Sequence, residues 1–239
     1  MNLLLFTPEE TSRPLPRSDV RANHLVNVLR REAGDTFDAG LINGLRGKGT
    51  LVEATTTELK LSFAWGESPP PLDPITLVVG LPRPQTARDI LRDATTLGVE
   101  AMHFATTEKS ERSYAQSSLW SSGEWQRLLV TGAEQAFSTR LPLVSHGREL
   151  VAILGTLTAT APRVALDNYE GSVRLGQMKF PAGSPVVLAI GPERGWTAVD
   201  RELLRAHGFA LAHLGERVLR TETAVVAALT LLKSARGLL

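Results

Sequence analysis

Residues 75–105 read ITLVVGLPRPQTARDILRDATTLGVEAMHFA, and two hydrophobic periods succeed one another within this stretch. Residues 75–81 form a continuous apolar run of strand length. Residues 86–97 place Ala87, Ile90, Leu91, Ala94 and Leu97 at helical spacing, and residues 99–105 form a second apolar run. Strand, amphipathic helix and strand in this order define a βαβ unit.

The same grammar continues toward the C-terminus. A helix is expected over 124–136, a strand over 163–167, a buried strand over 185–190, a helix over 198–207, a strand over 209–214 and a last helix over 222–235. Alternating elements of this kind predict an α/β fold with a mostly parallel sheet. Upstream, residues 66–74 (GESPPPLDP) hold four prolines in nine positions. That density disrupts helix and ladder alike and favours a stiff connector, so the domain boundary is placed there. Before it, Asp19 is positioned to cap a helix running to Arg31, with Val20, Leu25, Val28 and Leu29 as its inner stripe. Residues 36–42 and 50–64 read as strands. The segment 43–49 between them carries three glycines, expected to supply positive φ at a hairpin tip.

The composition excludes several classes. The 239 residues are 43% hydrophobic and 21% charged, enough to bury a core and unlike a disordered chain. Lys and Arg number 26 against 25 Asp and Glu, so no whole-chain charge announces a nucleic-acid partner. Residues 201–236 carry six basic against three acidic side chains, a local basic excess. The absence of cysteine removes disulfides, thiolate metal sites and cysteine nucleophiles together. His24, His103, His146, His207 and His213 show no helical metal-ligand spacing, and no metal is expected. The apolar run 1–6 ends at Thr7-Pro8-Glu9-Glu10, short of a signal-peptide core, and no run approaches the roughly 18 residues of a membrane span. A cytoplasmic location without membrane attachment is the expectation.

Standard ligand loops are missing. No Gly-x-Gly-x-x-Gly follows a strand, no Gly-x-Ser-x-Gly elbow occurs, and the Gly44 to Thr50 segment lacks the spacing of a phosphate loop. Two other loops stand where carboxyl ends of strands place ligands in α/β sheets. The first is Ile190-Gly191-Pro192-Glu193-Arg194-Gly195-Trp196-Thr197, and the second is Leu214-Gly215-Glu216-Arg217-Val218-Leu219-Arg220-Thr221-Glu222-Thr223-Ala224. Glycines there permit close backbone approach to a ligand. Two ordinary strand-to-helix turns with caps is the other reading of the same residues.

The pair GPERGW and LGERVLRTETA at this spacing resembles the signature of the 16S ribosomal RNA uridine-N3 methyltransferases of the SPOUT superfamily. The resemblance runs the length of the chain. ANHLVNVLR (22–30) is similar to a stretch of that family's N-terminal PUA-like barrel. Leu97-Gly98-Val99, Ser110-Glu111-Arg112-Ser113, and Glu134-Gln135 followed by Arg140-Leu141-Pro142 match its middle motifs in order. The chain departs from the family pattern at Arg194, where a third glycine is usual, at Ser138, at Thr96, and at Arg83-Pro84-Gln85.

The resemblance implies a PUA-like RNA-binding β-barrel over 1–68 and a SPOUT domain with a trefoil knot over 74–239. It further implies a homodimer that binds S-adenosylmethionine and methylates N3 of a uridine in ribosomal RNA or the small ribosomal subunit. A related enzyme acting on another RNA nucleotide, and a non-catalytic RNA-binding paralogue, are the alternatives. Under the resemblance Leu166, Ile190, Gly191, Glu193, Gly195, Leu214, Gly215, Arg217, Val218 and Leu219 enclose the cofactor. Arg220 is the candidate cation that stabilises the deprotonated uracil, and Glu222 a candidate for proton handling. For Arg220 the other reading is an ion pair locking the loop to Glu222 or Glu193. Arg30, Arg31, Arg46, Lys48, Arg112, Glu134, Gln135 and Arg140 are the candidate RNA contacts. The apolar face of the last helix, Val225, Ala228, Leu229 and Leu232, is expected to bury at a two-fold contact.

Overall fold

The computed structural model describes residues 3–157, 160–181 and 183–239. The chain forms two compact units, one of residues 1–71 with 133–141, the other of 72–132 with 142–239. The break after residue 71 falls in the proline-rich segment. The return of 133–141 to the first unit makes the division discontinuous, which a contiguous reading of the sequence does not anticipate.

In the first unit β1 (Leu4–Phe6), β2 (Leu15–Pro16), β3 (Thr36–Leu41), β4 (Arg46–Ala54) and β5 (Glu58–Trp65) form a sheet in the order β1-β3-β4-β5-β2. The β1/β3 pair is parallel and the other three pairs are antiparallel. Alternate residues face inward, so Leu4, Phe6, Phe37, Ala39, Leu51 and Leu59 make the core. The expected strand over 50–64 is two strands, because the chain turns at 55–57, where Thr55 Oγ1 accepts from the backbone N–H groups of Thr57 and Glu58 and donates to the Glu58 carbonyl. The hairpin glycines also act differently from the expectation. Positive φ falls on Asn43, while Gly47 and Gly49 sit inside β4. A Cβ on Gly47 would meet the Ala64 carbonyl at 2.1 Å, and one on Gly49 the Phe37 ring at 2.3 Å, so these glycines serve close approach.

The expected helix over 19–31 is also altered. Asp19 does cap α1 (Val20–Asn23) through the Arg21 N–H, but the next turn, 24–28, widens to a π-turn and the segment ends at Arg30 with φ 53°. The wider turn shifts the inward stripe: Ala22 and Leu25 are buried, whereas Val20 and Val28 are exposed. Residues 133–141 join this unit through specific bonds. The Leu5 N–H donates to Glu134 Oε1 at 3.0 Å, Thr139 Oγ1 to the Gly44 carbonyl at 2.6 Å, and the Arg140 guanidinium to the Asn43 carbonyl and Ser68 Oγ.

The second unit opens with β6 (Asp73–Gly80), α2 (Pro84–Thr96) and β7 (Val99–Thr106), the βαβ unit of residues 75–105. Then follow α3 (Ser118–Ser121), α4 (Glu124–Gln135), whose last residues belong to the first unit, β8 (Leu143–Glu149), α5 (Leu150–Leu154), β9 (Arg163–Leu166) and β10 (Val173–Arg174). The chain ends with β11 (Val186–Ile190), α6 (Ala198–Ala206), β12 (Phe209–His213) and α7 (Thr221–Ala235). The seven strands are ordered β10-β12-β9-β11-β6-β7-β8, and every pair is parallel. Every residue of β11 is buried, which accounts for its unbroken apolar sequence.

The last helix corrects one expectation. Val225, Ala228, Leu229 and Leu232 are fully buried within the chain, where α7 packs on α2 and β11. That stripe is therefore core and is not available to a second subunit. Lys233 fastens the same helix with an ion pair to Asp73 at 2.7 Å and a bond to the Leu97 carbonyl.

Candidate functional site

Parallel pairing brings the ends of three strands to one edge. Leu166 of β9 stands opposite both Ile190 of β11 and Ala212 of β12. The loops that leave these strands must therefore diverge from a common line, and they enclose a cavity of about 450 Å3. Leu166, Ile190, Gly191, Glu193, Gly195, Leu214, Gly215, Arg217, Val218 and Leu219 all line it.

The loop after β11 is seated by contact with β6. Gly80 lies so close to Pro192 that a Cβ would stand 2.3 Å from its ring, so this crossing depends on glycine. Gly195 turns the chain with φ 67°, after which the Trp196 indole N–H donates to the Leu166 carbonyl at 2.9 Å. Thr197 and Asp200 form a reciprocal capping box that starts α6. After β12, Gly215 takes φ 127° and its N–H donates to His213 Nδ1 at 3.1 Å, which defines that ring nitrogen as an acceptor. A Cβ at Gly195 or Gly215 would meet no atom within 4 Å, so both glycines face open space.

The third wall is the loop at Leu166, of which the sequence reading named that residue alone. Asp167, Asn168, Tyr169 and Gly171 line the cavity beside Leu166. Asp167 Oδ1 accepts from the backbone N–H groups of Tyr169 and Glu170, and Oδ2 accepts from Arg201 Nε at 2.8 Å. Pro192, Arg194, Trp196, His213, Glu216, Thr221 and Ala224 complete the lining, and Tyr169 and Val218 are 82% and 79% exposed at its mouth. The one sequence signal was a short polar Asp-Asn-Tyr-Glu-Gly run directly after a strand, the pattern of an Asx turn.

The remaining candidates are placed differently. Arg220 is the exposed residue before α7 and Glu222 is half-buried in its first turn; neither lines the cavity, although Leu219 and Thr221 do. Glu193 pairs with Arg83 at 3.3 Å, and Arg220 has no ion pair among the described residues. The loop-locking pair is thus not formed. Of the RNA-contact candidates, seven lie in the first unit and only Arg112 in the second. Arg30, Gln135 and Arg112 are exposed. Arg46 donates to the Phe137 carbonyl, Lys48 pairs with Asp38 at 2.6 Å, and Arg140 and Glu134 are engaged as described above. Arg31 is half-buried, with its Nε unbonded among the described residues. Burial holds the Glu134 carboxyl above the usual carboxylate range, against the lowering effect of the Leu5 N–H. No group of three or more possible metal ligands occurs among the described residues.

A parallel α/β sheet with a ligand-sized cavity beyond its carboxyl edge defines a protein built to hold a small organic molecule. Residues 68–233 match the family model described as RNA methyltransferase domain. The chain is similar to ribosomal RNA small subunit methyltransferase E of Treponema pallidum, with 38% identity over 95% of this chain and 89% of the relative. It is also similar to ribosomal RNA small subunit methyltransferase E 1 of Borreliella burgdorferi, with 28% identity over 95% of each chain. The chain belongs to this RNA methyltransferase family and is a methyltransferase. Among solved structures its fold is similar to that of ribosomal RNA small subunit methyltransferase E from Neisseria gonorrhoeae bound to S-adenosyl methionine. That match has a TM-score of 0.82 at 21% identity and covers 98% of this chain and 97% of the other.

Proposed function

We propose that this enzyme transfers the methyl group of S-adenosylmethionine to N3 of a uridine in small-subunit ribosomal RNA. The observation that carries the reading is the convergence of three loops, with all ten candidate cofactor residues, on one cavity of about 450 Å3. That volume lies within the range of about 300–1,000 Å3 common for small-molecule sites. The residues fit the cofactor: bare backbone at Gly195 and Gly215 admits a ligand closely and presents carbonyl groups to an adenine edge, while both N–H groups are spent holding the loops, and Leu214, Val218 and Leu219 supply apolar wall.

Bound S-adenosylmethionine supplies an activated methyl on a good leaving group, so the protein's task is alignment and charge. The uracil N3 proton is lost only well above neutral pH in water, and the resulting anion spreads over two carbonyl oxygens. Arg220, without an ion pair among the described residues and flanked by two cavity residues, is the cation assigned to that anion, and Glu222, two residues on, is the candidate for handling the proton.

The finer architecture belongs to the same reading. The placement of β11 between β6 and β9 supports a trefoil-knotted path through the second unit. The five-stranded sheet supports a PUA-like barrel that binds RNA, with domains over 1–68 and 74–239. Exposed Tyr169, Val218 and Leu219 at the cavity mouth support a homodimer whose second copy covers it. No helix among the described residues is long and apolar enough to cross a membrane, and a cytoplasmic site of action beside the ribosome accords with the substrate.

The test is mass spectrometry of small-subunit RNA nucleosides from a strain lacking this chain, together with calorimetric titration of S-adenosylmethionine. Loss of one N3-methyluridine and saturable cofactor binding are expected. Cofactor binding with another methylated nucleotide missing would redirect the substrate assignment, and no cofactor binding would leave an RNA-binding paralogue. Sedimentation showing a monomer at micromolar concentration would remove the dimer.

A further inference from the structure

A second, smaller cavity of about 150 Å3 lies on the other side of the loop after β11 and shares Pro192, Glu193 and Arg194 with the first. Its lining includes Arg83, Lys109, Arg194, Ser110 and Tyr114. Three cationic side chains therefore meet two acidic ones, Glu111 and Glu193, around a recess one loop away from the proposed methyl donor. Among the described residues the acids pair with one of the three cations, and the Glu111 carboxylate accepts only from Ser113 Oγ. Glu193 holds only Arg83, through the Arg83 backbone N–H and Nε, which leaves both terminal guanidinium nitrogens of Arg83 without a partner among the described residues. Lys109 Nζ donates to the Arg194 carbonyl at 3.3 Å and forms no ion pair among the described residues. The Arg194 guanidinium is exposed and has no ion pair or hydrogen bond among them.

We infer that this second cavity is a phosphate subsite that holds the sugar-phosphate backbone of the acceptor RNA beside the reacting base. The inference rests on the proposed methyl transfer to RNA and deepens it. A phosphate suits the recess because it takes several charge-assisted donors at once, and Arg83, Lys109 and Arg194 present them from three separate segments of chain. The Tyr114 side chain adds an aromatic surface at the same wall. Arg194, which replaces a glycine of the family pattern, adds one of these cations between donor and acceptor sites.

The experiment compares wild type with Lys109→Gln, Arg194→Gln and, as an exposed cation elsewhere on the second unit, Arg127→Gln. Binding of small-subunit RNA is measured over a salt series, with S-adenosylmethionine affinity measured calorimetrically on the same samples. Lys109→Gln and Arg194→Gln are each expected to weaken RNA binding about 3–10-fold at low salt and to reduce the log–log salt slope by about one. For Lys109→Gln the KM for RNA should rise with kcat at saturating RNA retained, the pattern of a contact made in ground and transition states alike. Lys109, which lines only the second cavity, should leave cofactor affinity unchanged. An equal loss in Arg127→Gln, or an unaltered salt slope, overturns the subsite. If Lys109→Gln weakens the cofactor and not the RNA, the recess holds the cofactor's carboxylate and the inference is overturned. Failure of wild type to bind cofactor would instead overturn the proposed methyl transfer, because the RNA arm is read without turnover.

Discussion

Arg201 Nε donates to Asp167 Oδ2 at 2.8 Å, joining α6 to the loop after β9 by an ion pair in which both side chains are largely withdrawn from solvent. The other Asp167 oxygen organises the Tyr169 and Glu170 N–H groups, so one carboxylate shapes the wall of the cavity and is itself held by one cation. Breaking a buried pair by deleting one partner leaves an uncompensated charge and costs about 3–5 kcal/mol. Arg201→Ala is therefore expected to lower stability on that scale and to weaken cofactor binding as the wall loosens. Denaturant unfolding with calorimetric titration checks both; unchanged stability would show that solvent replaces the pair.

Gly215 occupies φ 127°, where a β-branched residue is strained by about 1–3 kcal/mol, and a Cβ built there enters open space in the cavity. Gly215→Val is expected to abolish measurable cofactor binding while the five-stranded sheet stays folded. Titration with S-adenosylmethionine and circular dichroism test this. Normal affinity would move the site away from this loop.

Glu134 illustrates a pH dependence with a definite sign. Burial raises its folded pKa above the ordinary carboxylate value, so ionisation is harder in the folded chain than in the unfolded one. Below the unfolded pKa both states are protonated and nothing is lost. As pH rises through the raised folded pKa the ionised carboxylate imposes a cost that persists at neutrality. Glu134→Gln keeps an oxygen for the Leu5 N–H and removes that ionisation. The stability of the variant relative to wild type is expected to rise between acid and neutral pH, as read from melting temperatures across a pH series. A flat difference would refute burial as the dominant influence.

The second unit was legible because its elements differ in period: apolar runs of strand length alternate with helical stripes, and every expected element from 75–81 onward corresponds to one in the structure. β8 and α5 escaped for a physical reason. β8 is an edge strand with Leu143 exposed and no apolar run, and α5 follows it directly with five residues and no intervening loop. The glycine loops marked the cavity because a backbone that approaches a ligand needs glycine whatever the fold. The Asp167–Arg201 pair left no comparable trace, since its partners are 34 positions apart and meet only through parallel pairing. Likewise the stripe Val225 to Leu232 reads as apolar from sequence, but only packing decides whether it meets α2 or another subunit.

The charge at Arg220 provides the decisive test of the chemistry. Its guanidinium is exposed and has no ion pair among the described residues, so removing it breaks no visible structural contact. If the charge acts on the deprotonated uracil as the methyl moves, Arg220→Ala should lower single-turnover methylation by about 10²-fold or more, the scale of losing one charge-stabilising donor. Cofactor affinity and melting temperature should hold, because an interaction made in the transition state contributes little to binding the sulfonium. Arg220→Lys should restore only part of the rate, since a point charge does not reproduce a planar fork. A parallel fall in rate, affinity and stability would instead mark a loop support that forms when the cavity fills. Unchanged turnover would remove Arg220 from the chemistry and leave Glu222 and the cavity wall to supply it.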